Sequence, residues 1–98
     1  MKDVGRLMKQ MQRLQQDMAR LQEELRQERV EAAAGGGVVR AVVDGHGDVV
    51  DLTIDPSVVD PADVQMLTDL IVAAVTAAQR AARERAEEKM RALGGGLP

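Results

Sequence analysis

Apolar residues in the first quarter of the chain fall at Val4, Leu7, Met11, Leu14, Met18, Leu21 and Leu25, with spacings that alternate three and four. That is an a/d heptad seam, with Val4, Met11, Met18 and Leu25 at a and Leu7, Leu14 and Leu21 at d. The pattern predicts one helix over residues 4–27. Only Met8 widens the stripe, and the remaining surface is mostly Lys, Arg, Gln, Glu and Asp. A stripe this narrow suits one partner helix and not a position inside a core. At 1.5 Å per residue the helix runs for roughly 36 Å, longer than a compact domain of this size needs. Part of it is therefore expected to project, its seam meeting the C-terminal helix, a second subunit, or both.

The period then changes. Val38 to Val43 and Val49 to Ile54 are β-branched runs joined by Asp44-Gly45-His46-Gly47-Asp48, a hairpin signature with glycines where positive φ is needed. Alternation puts Val39, Ala41, Val43, Val50, Leu52 and Ile54 on the buried face. Val38, Arg40, Val42, Val49, Asp51 and Thr53 take the other face, which is only half polar and suggests partial cover by a partner. Val30 to Ala34 fits either a strand or an extension of the helix, and Gly35-Gly36-Gly37 ends whichever it is. The sheet is three-stranded in the first case and a hairpin in the second.

Asp55-Pro56-Ser57 reads as a capped turn with Pro at its first position. Asp60-Pro61 repeats that signal and is taken as the start of a helix over residues 60–93, apolar from Val64 to Ala78 and basic thereafter. Gly94-Gly95-Gly96 closes it, leaving residues 94–98 as a loose tail. The expected fold is α+β and one domain over 1–98: a projecting helix, a β-module at 30–55, and a long C-terminal helix, with the helices on one face of a small antiparallel sheet.

Composition adds an association argument. The 98 residues include no Trp, Tyr, Phe or Cys. Aromatic side chains bury the most area per residue, so a core of Val, Leu, Ile, Met and Ala alone is thin and favours oligomerisation. Without Cys there is neither a disulfide scaffold nor thiolate chemistry, which fits a reducing, cytoplasmic setting. No signal-peptide pattern follows Met1, and no apolar run approaches membrane-spanning length.

The formal net charge of −3 conceals a division. Residues 1–29 hold seven basic and five acidic side chains, residues 30–69 one and eight, and residues 70–98 five and three. In the first helix Arg6, Arg13 and Arg20 recur at position c and Lys2 and Lys9 at position f, a basic stripe facing away from the seam. Such a stripe can neutralise phosphates and release counterions; a plain solvated face is the competing explanation. A second group is Arg80, Arg83, Arg85, Lys89 and Arg91. It is diluted by glutamates at spacings that suit ion pairs within the helix, Arg80–Glu84 and Arg83–Glu87, and it also matches the helix dipole.

Five segments in order resemble the YbaB/EbfC family of bacterial nucleoid-associated proteins. They are Leu7-Met8-Lys9-Gln10, Ala34-Gly35-Gly36-Gly37-Val38-Val39, Ile54-Asp55-Pro56-Ser57, Asp69-Leu70-Ile71-Val72-Ala73-Ala74, and Gly94-Gly95-Gly96-Leu97-Pro98. The resemblance implies a homodimer centred on the sheets and C-terminal helices, with the N-terminal helices standing out as arms. It also implies binding of double-stranded DNA at the nucleoid through basic residues of the first and last helices. His46 stands where the family usually has a basic loop residue, and Arg40 is the only basic residue of the strands, which turns attention from the sheet to the helices.

Other chemistries find little support. Base stacking needs aromatics, which are absent. Numbered as a calcium loop from Asp44, position 6 is Val49 instead of Gly and position 12 is Asp55 instead of Glu. His46 is the only His, so a histidine metal cluster or Ser-His triad lacks its parts. The Gly35–Gly37 run lacks the Lys and context of a phosphate loop. No catalysis, cofactor, metal or small-molecule substrate is expected. The rivals to DNA binding are a module that docks another protein's helix on the seam, and a purely structural dimer.

Overall fold

The hydrophobic periods set the element order, and the structure, a computed structural model, describes residues 2–93. The side chain of Lys2 and the tail expected at residues 94–98 lie outside the described residues. The elements are α1 (Lys2–Gln27), β1 (Val30–Ala34), β2 (Val39–Val43), β3 (Val49–Ile54), a 3-10 turn (Pro56–Val58) and α2 (Val64–Leu93). The strands form one antiparallel sheet in the order β1-β2-β3. Residues 30–34 are thus a strand, and the sheet is three-stranded.

Glycine fixes the first hairpin. Gly35, Gly36 and Gly37 have φ of 63°, 76° and 102°, three successive values that L side chains rarely adopt. The turn closes with the Gly37 N–H donating to the Ala34 carbonyl at 3.2 Å, and pairs Ala34 with Val39 and Val30 with Val43. In the second hairpin Val42 pairs with Asp51 but Val43 with Val49, so Val50 is an extra residue in a bulge.

Burial follows the strand alternation on β2, where Val39, Ala41 and Val43 are fully buried. Against them lie Ala74, Ala78 and Ala82, four residues apart on α2 and also fully buried. Their small side chains let the helix come close to the sheet. Val30 completes the centre, with Leu67, Leu70, Ile71 and Val75 packed around it.

The expected burial of β3 holds only in part, at Ile54, which is half-buried against the core. Leu52 is 38% exposed and Val50 45%, because α2 packs on β1 and β2. A helix is about 10 Å wide and neighbouring strands lie about 4.8 Å apart, so one helix covers two strands. A second helix over β3 would complete the layer, but α1 turns away. Its Leu21 and Leu25 are buried while Leu7 and Leu14 remain 56% and 55% exposed. The helices therefore do not share one face of the sheet as expected, and only the last turns of α1 pack. The radius of gyration is 19.7 Å and the extents are 73 × 23 × 16 Å, against roughly 13 Å for a compact chain of this length.

The start of the last helix also differs. Asp60 accepts from the Ala62 N–H at 2.9 Å and the Asp63 N–H donates to the Asp60 carbonyl at 2.9 Å. Asp60-Pro61 thus forms a separate turn, with Asp and Pro at its favoured first two positions. Asp63 is the true cap, accepting from the Met66 N–H at 3.1 Å. Asp55 caps the 3-10 turn as expected, accepting from the Ser57 N–H at 2.9 Å.

The β2–β3 loop grips the root of α1. The Gly45 N–H donates to the Leu25 carbonyl at 2.7 Å, and a Cβ at Gly45 would stand 2.6 Å from that oxygen and 2.8 Å from Leu25 Cα. Neither backbone can yield without moving the helix. Gly45→Ala is expected to cost about 1–3 kcal/mol of stability, read as a lower denaturant midpoint in urea unfolding.

Candidate nucleic-acid interface

A surface for nucleic acid needs cations that are exposed, mutually close and not already neutralised. Arg6, Lys9 and Arg13 meet these conditions. With Gln10 they surround one shallow depression of about 180 Å³ on the projecting part of α1. All are exposed, and among the described residues none of the three is in an ion pair. Arg20, two turns further on, stands 3.9 Å from Asp17 in a loose exposed pair of a kind that contributes little. The structure thus brings together three of the five residues named on this helix, leaves Arg20 apart, and does not describe the Lys2 side chain.

The second basic group divides. Arg80, Arg83 and Arg91 are exposed and in no ion pair among the described residues. Arg85 and Lys89 both turn to Glu28, just beyond the end of α1: Nη1 of Arg85 is 3.3 Å from Oε1 and Nζ of Lys89 is 3.1 Å from Oε2. Oε2 is buried and has no aligned hydrogen-bond donor, so its attraction to Lys89 is coulombic. The expected pairs Arg80–Glu84 and Arg83–Glu87 do not form. An exposed Arg preceding Glu by four has the weaker orientation on a helix, whereas Glu28, only 16% exposed, interacts with its cations under less screening. Sequence reasoning missed Glu28, whose only signal was Arg85 and Lys89 four apart on one face.

A depression of about 480 Å³ lies at this junction and is lined by Arg20, Glu23, Glu24, Gln27, Glu28 and Lys89. Its three carboxylates outnumber its two cations, the wrong balance for phosphate. The sheet offers no free cation among the described residues either, since Arg40 bonds Glu31 at 3.0 Å across the strands.

The β2–β3 loop orients the arm. Nε2 of His46 lies 2.7 Å from Gln22 Oε1 on α1, and Gln79 of α2 donates to the Gly47 carbonyl at 3.0 Å. Inside the loop Asp44 accepts from the N–H groups of His46 at 2.8 Å and Asp48 at 3.1 Å. Burial alone would raise the Asp44 carboxyl, but those two N–H groups, helped by the charges of His46 and Arg29, hold it below 3.8. The Ser57 N–H, then its hydroxyl, lowers Asp55 in the same way. The Asp44 and Asp55 carboxylates are thus occupied by the backbone. No helix among the described residues is long and apolar enough to cross a membrane.

Comparison with known proteins gives a family, two relatives and a solved structure. A family model described as the YbaB/EbfC DNA-binding family matches residues 1–97. A nucleoid-associated protein of Rhodococcus erythropolis is 48% identical over 95 residues, 97% of this chain and 85% of that one. One of Moorella thermoacetica is 46% identical over 97 residues, 99% and 93% of the two chains. The crystal structure of an uncharacterized protein from Helicobacter pylori superposes with a TM-score of 0.69 over 82% of this chain and 93% of that one. At 22% identity it carries the fold alone.

The loop makes stability depend on acid. A carboxyl held below its ordinary 3.8 stabilises the fold above that value and loses its contribution as pH falls through its folded value. Urea midpoints measured from about pH 6 down to pH 3 should therefore fall below about pH 4. Asp44→Asn keeps an acceptor but no titrating charge, and its midpoint should fall less steeply over that acidic range.

Proposed function

The chain belongs to the YbaB/EbfC DNA-binding family, and from that premise we propose that it binds duplex DNA as a homodimer through the outer face of α1. The family is one of DNA-binding proteins and not of enzymes. What supports this reading most is the grouping of Arg6, Lys9 and Arg13, exposed and unneutralised on a helix that stands clear of the sheet. Lys2 and Arg20 extend the same stripe in sequence. Arg80, Arg83 and Arg91 form a secondary contact, with Arg85 and Lys89 held back by Glu28.

The mechanism is electrostatic. Arg6 and Arg13 are about 10 Å apart along the helix axis, far more than the axial spacing of about 3.4 Å between charges on one DNA strand. The two side chains can thus meet separate phosphates, releasing a counterion at each. The acidic residues of 30–69 do not oppose this strongly, because charges beyond about 8 Å are screened at physiological salt. Without an aromatic residue the contact reads backbone and groove, not stacked bases. Dimerisation supplies two arms. The bare β3, with Val50 and Leu52, and the exposed Val64 and Val72 of α2 give the partner an apolar surface that α2 of the same chain leaves open. The relatives' description as nucleoid-associated proteins supports a task at the nucleoid, in the cytoplasm.

Fluorescence anisotropy of a labelled duplex tests this. Over about 50 to 200 mM salt, six phosphate contacts on two arms should cost about a thousandfold in affinity. Arg6→Glu with Lys9→Glu and Arg13→Glu should abolish binding at the upper salt. Unchanged affinity in that triple variant would remove the arms from the interface.

Glu28→Gln isolates the secondary contact. It frees Arg85 and Lys89, so if the end of α2 touches DNA the log–log salt slope should steepen by about 2 per chain. An unchanged slope would confine binding to α1.

A further inference from the structure

We propose that the exposed half of the α1 seam is a docking surface for the same seam of a second copy of this chain, the two helices lying parallel. Val4, Leu7, Met8, Met11 and Leu14 form one continuous apolar strip, each between 55% and 58% exposed. Its own chain covers the strip only further along, at Leu21 and Leu25, where α1 meets the end of α2. A solvated face would not need an apolar residue at every a and d position.

The charges beside the strip select the occupant. Positions e and g of a helix pair set partner choice and orientation. Over the exposed stretch they are Asp3, Met8, Gln10 and Gln15, a single charge that gives a charged foreign helix little to pair with. Parallel alignment sets Asp3 against Met8, Gln10 against Gln15 and Asp17 against Gln22 of the other copy, with no like charges opposed. Antiparallel alignment of the same layers sets Asp3 against Asp17. Val4 at a with Leu7 and Leu14 at d follows the pattern that favours two strands, and Met11 adapts to whatever packs beside it. The basic residues sit at c and f, outside the pair, so both stripes remain open to solvent.

Four layers fall short of the length that holds helices together unaided. The pairing is therefore reversible and concentration-dependent, and it strengthens where two arms are carried by one assembly. It is distinct from the contact proposed at β3, and it requires no DNA.

Two measurements on the full chain, without nucleic acid, test it. The protein has no Cys, so one introduced thiol has no competitor. Facing d positions come within disulfide reach in a parallel pair, so Leu7→Cys and Leu14→Cys should each form a cross-linked dimer on mild oxidation. Gln16→Cys, at position f on the far side, should not. In sedimentation equilibrium the top-concentration mass of the native chain should exceed that of Leu7→Gln/Leu14→Gln by about twofold, with helix content unchanged by circular dichroism. Equal cross-linking at Gln16→Cys, none at Leu7→Cys and Leu14→Cys, or identical masses would each overturn the proposal.

Discussion

One helix can cover two strands. The rest of this molecule follows from how that limit meets a chain with three strands and no aromatic residue. Ala74, Ala78 and Ala82 bring α2 close over β1 and β2 and seal Val39, Ala41 and Val43. Among the described residues no second helix is left to cover β3. A bulky aromatic on α2 would have reached further across the sheet, but it would have lifted the helix away from β2. The small-residue stripe takes the opposite course, with a tight seal over part of the sheet and an open edge beside it. That open edge is the surface proposed above for the partner subunit.

The same division separates structural from binding charge. Cations near the junction of the elements are consumed there: Arg85 and Lys89 by Glu28, Arg40 by Glu31, Arg26 by Glu23. Arg6, Lys9 and Arg13 on the projecting part of α1 are in no ion pair among the described residues. A net charge of −3 thus says little about the surface met by a polyanion, since part of the acidic charge lies in turns and caps away from the arm. Asp44, Asp55, Asp60 and Asp63 each accept from backbone N–H groups, and their charge is the means by which those turns close.

What could be read from the sequence was what short-range chemistry dictates. The heptad seam gave α1, the β-branched runs and loop glycines gave the second hairpin while residues 30–34 stayed open between strand and helix, and the Asp-Pro pairs gave turns, though Asp60-Pro61 proved to be a turn before the helix because Asp63 was the better-placed cap. The basic stripe was visible because seven-residue repeats need no tertiary information. What could not be read was competition between distant groups. Glu28 and Arg85 are 57 residues apart, and no local rule says that Arg85 and Lys89 prefer it to the glutamates beside them. The exposure of Leu52 was hidden for a similar reason: alternation shows which face is apolar but not how much of it a single helix can shield.

The period of the stripe itself carries one more argument. A straight α-helix drifts by about 20° per heptad relative to a seven-residue repeat. Arg6, Arg13 and Arg20 follow such a repeat, so on an isolated helix their line would spiral slowly around the surface. Only a helix coiled gently about a partner keeps both an a/d seam and a c-position row straight. A surface evolved for phosphate contact alone has no reason to hold a period of seven, since phosphates impose no such period on a helix. The shared repeat ties the basic row to the seam, and makes a helix pair the natural form in which α1 would present its cations along a duplex.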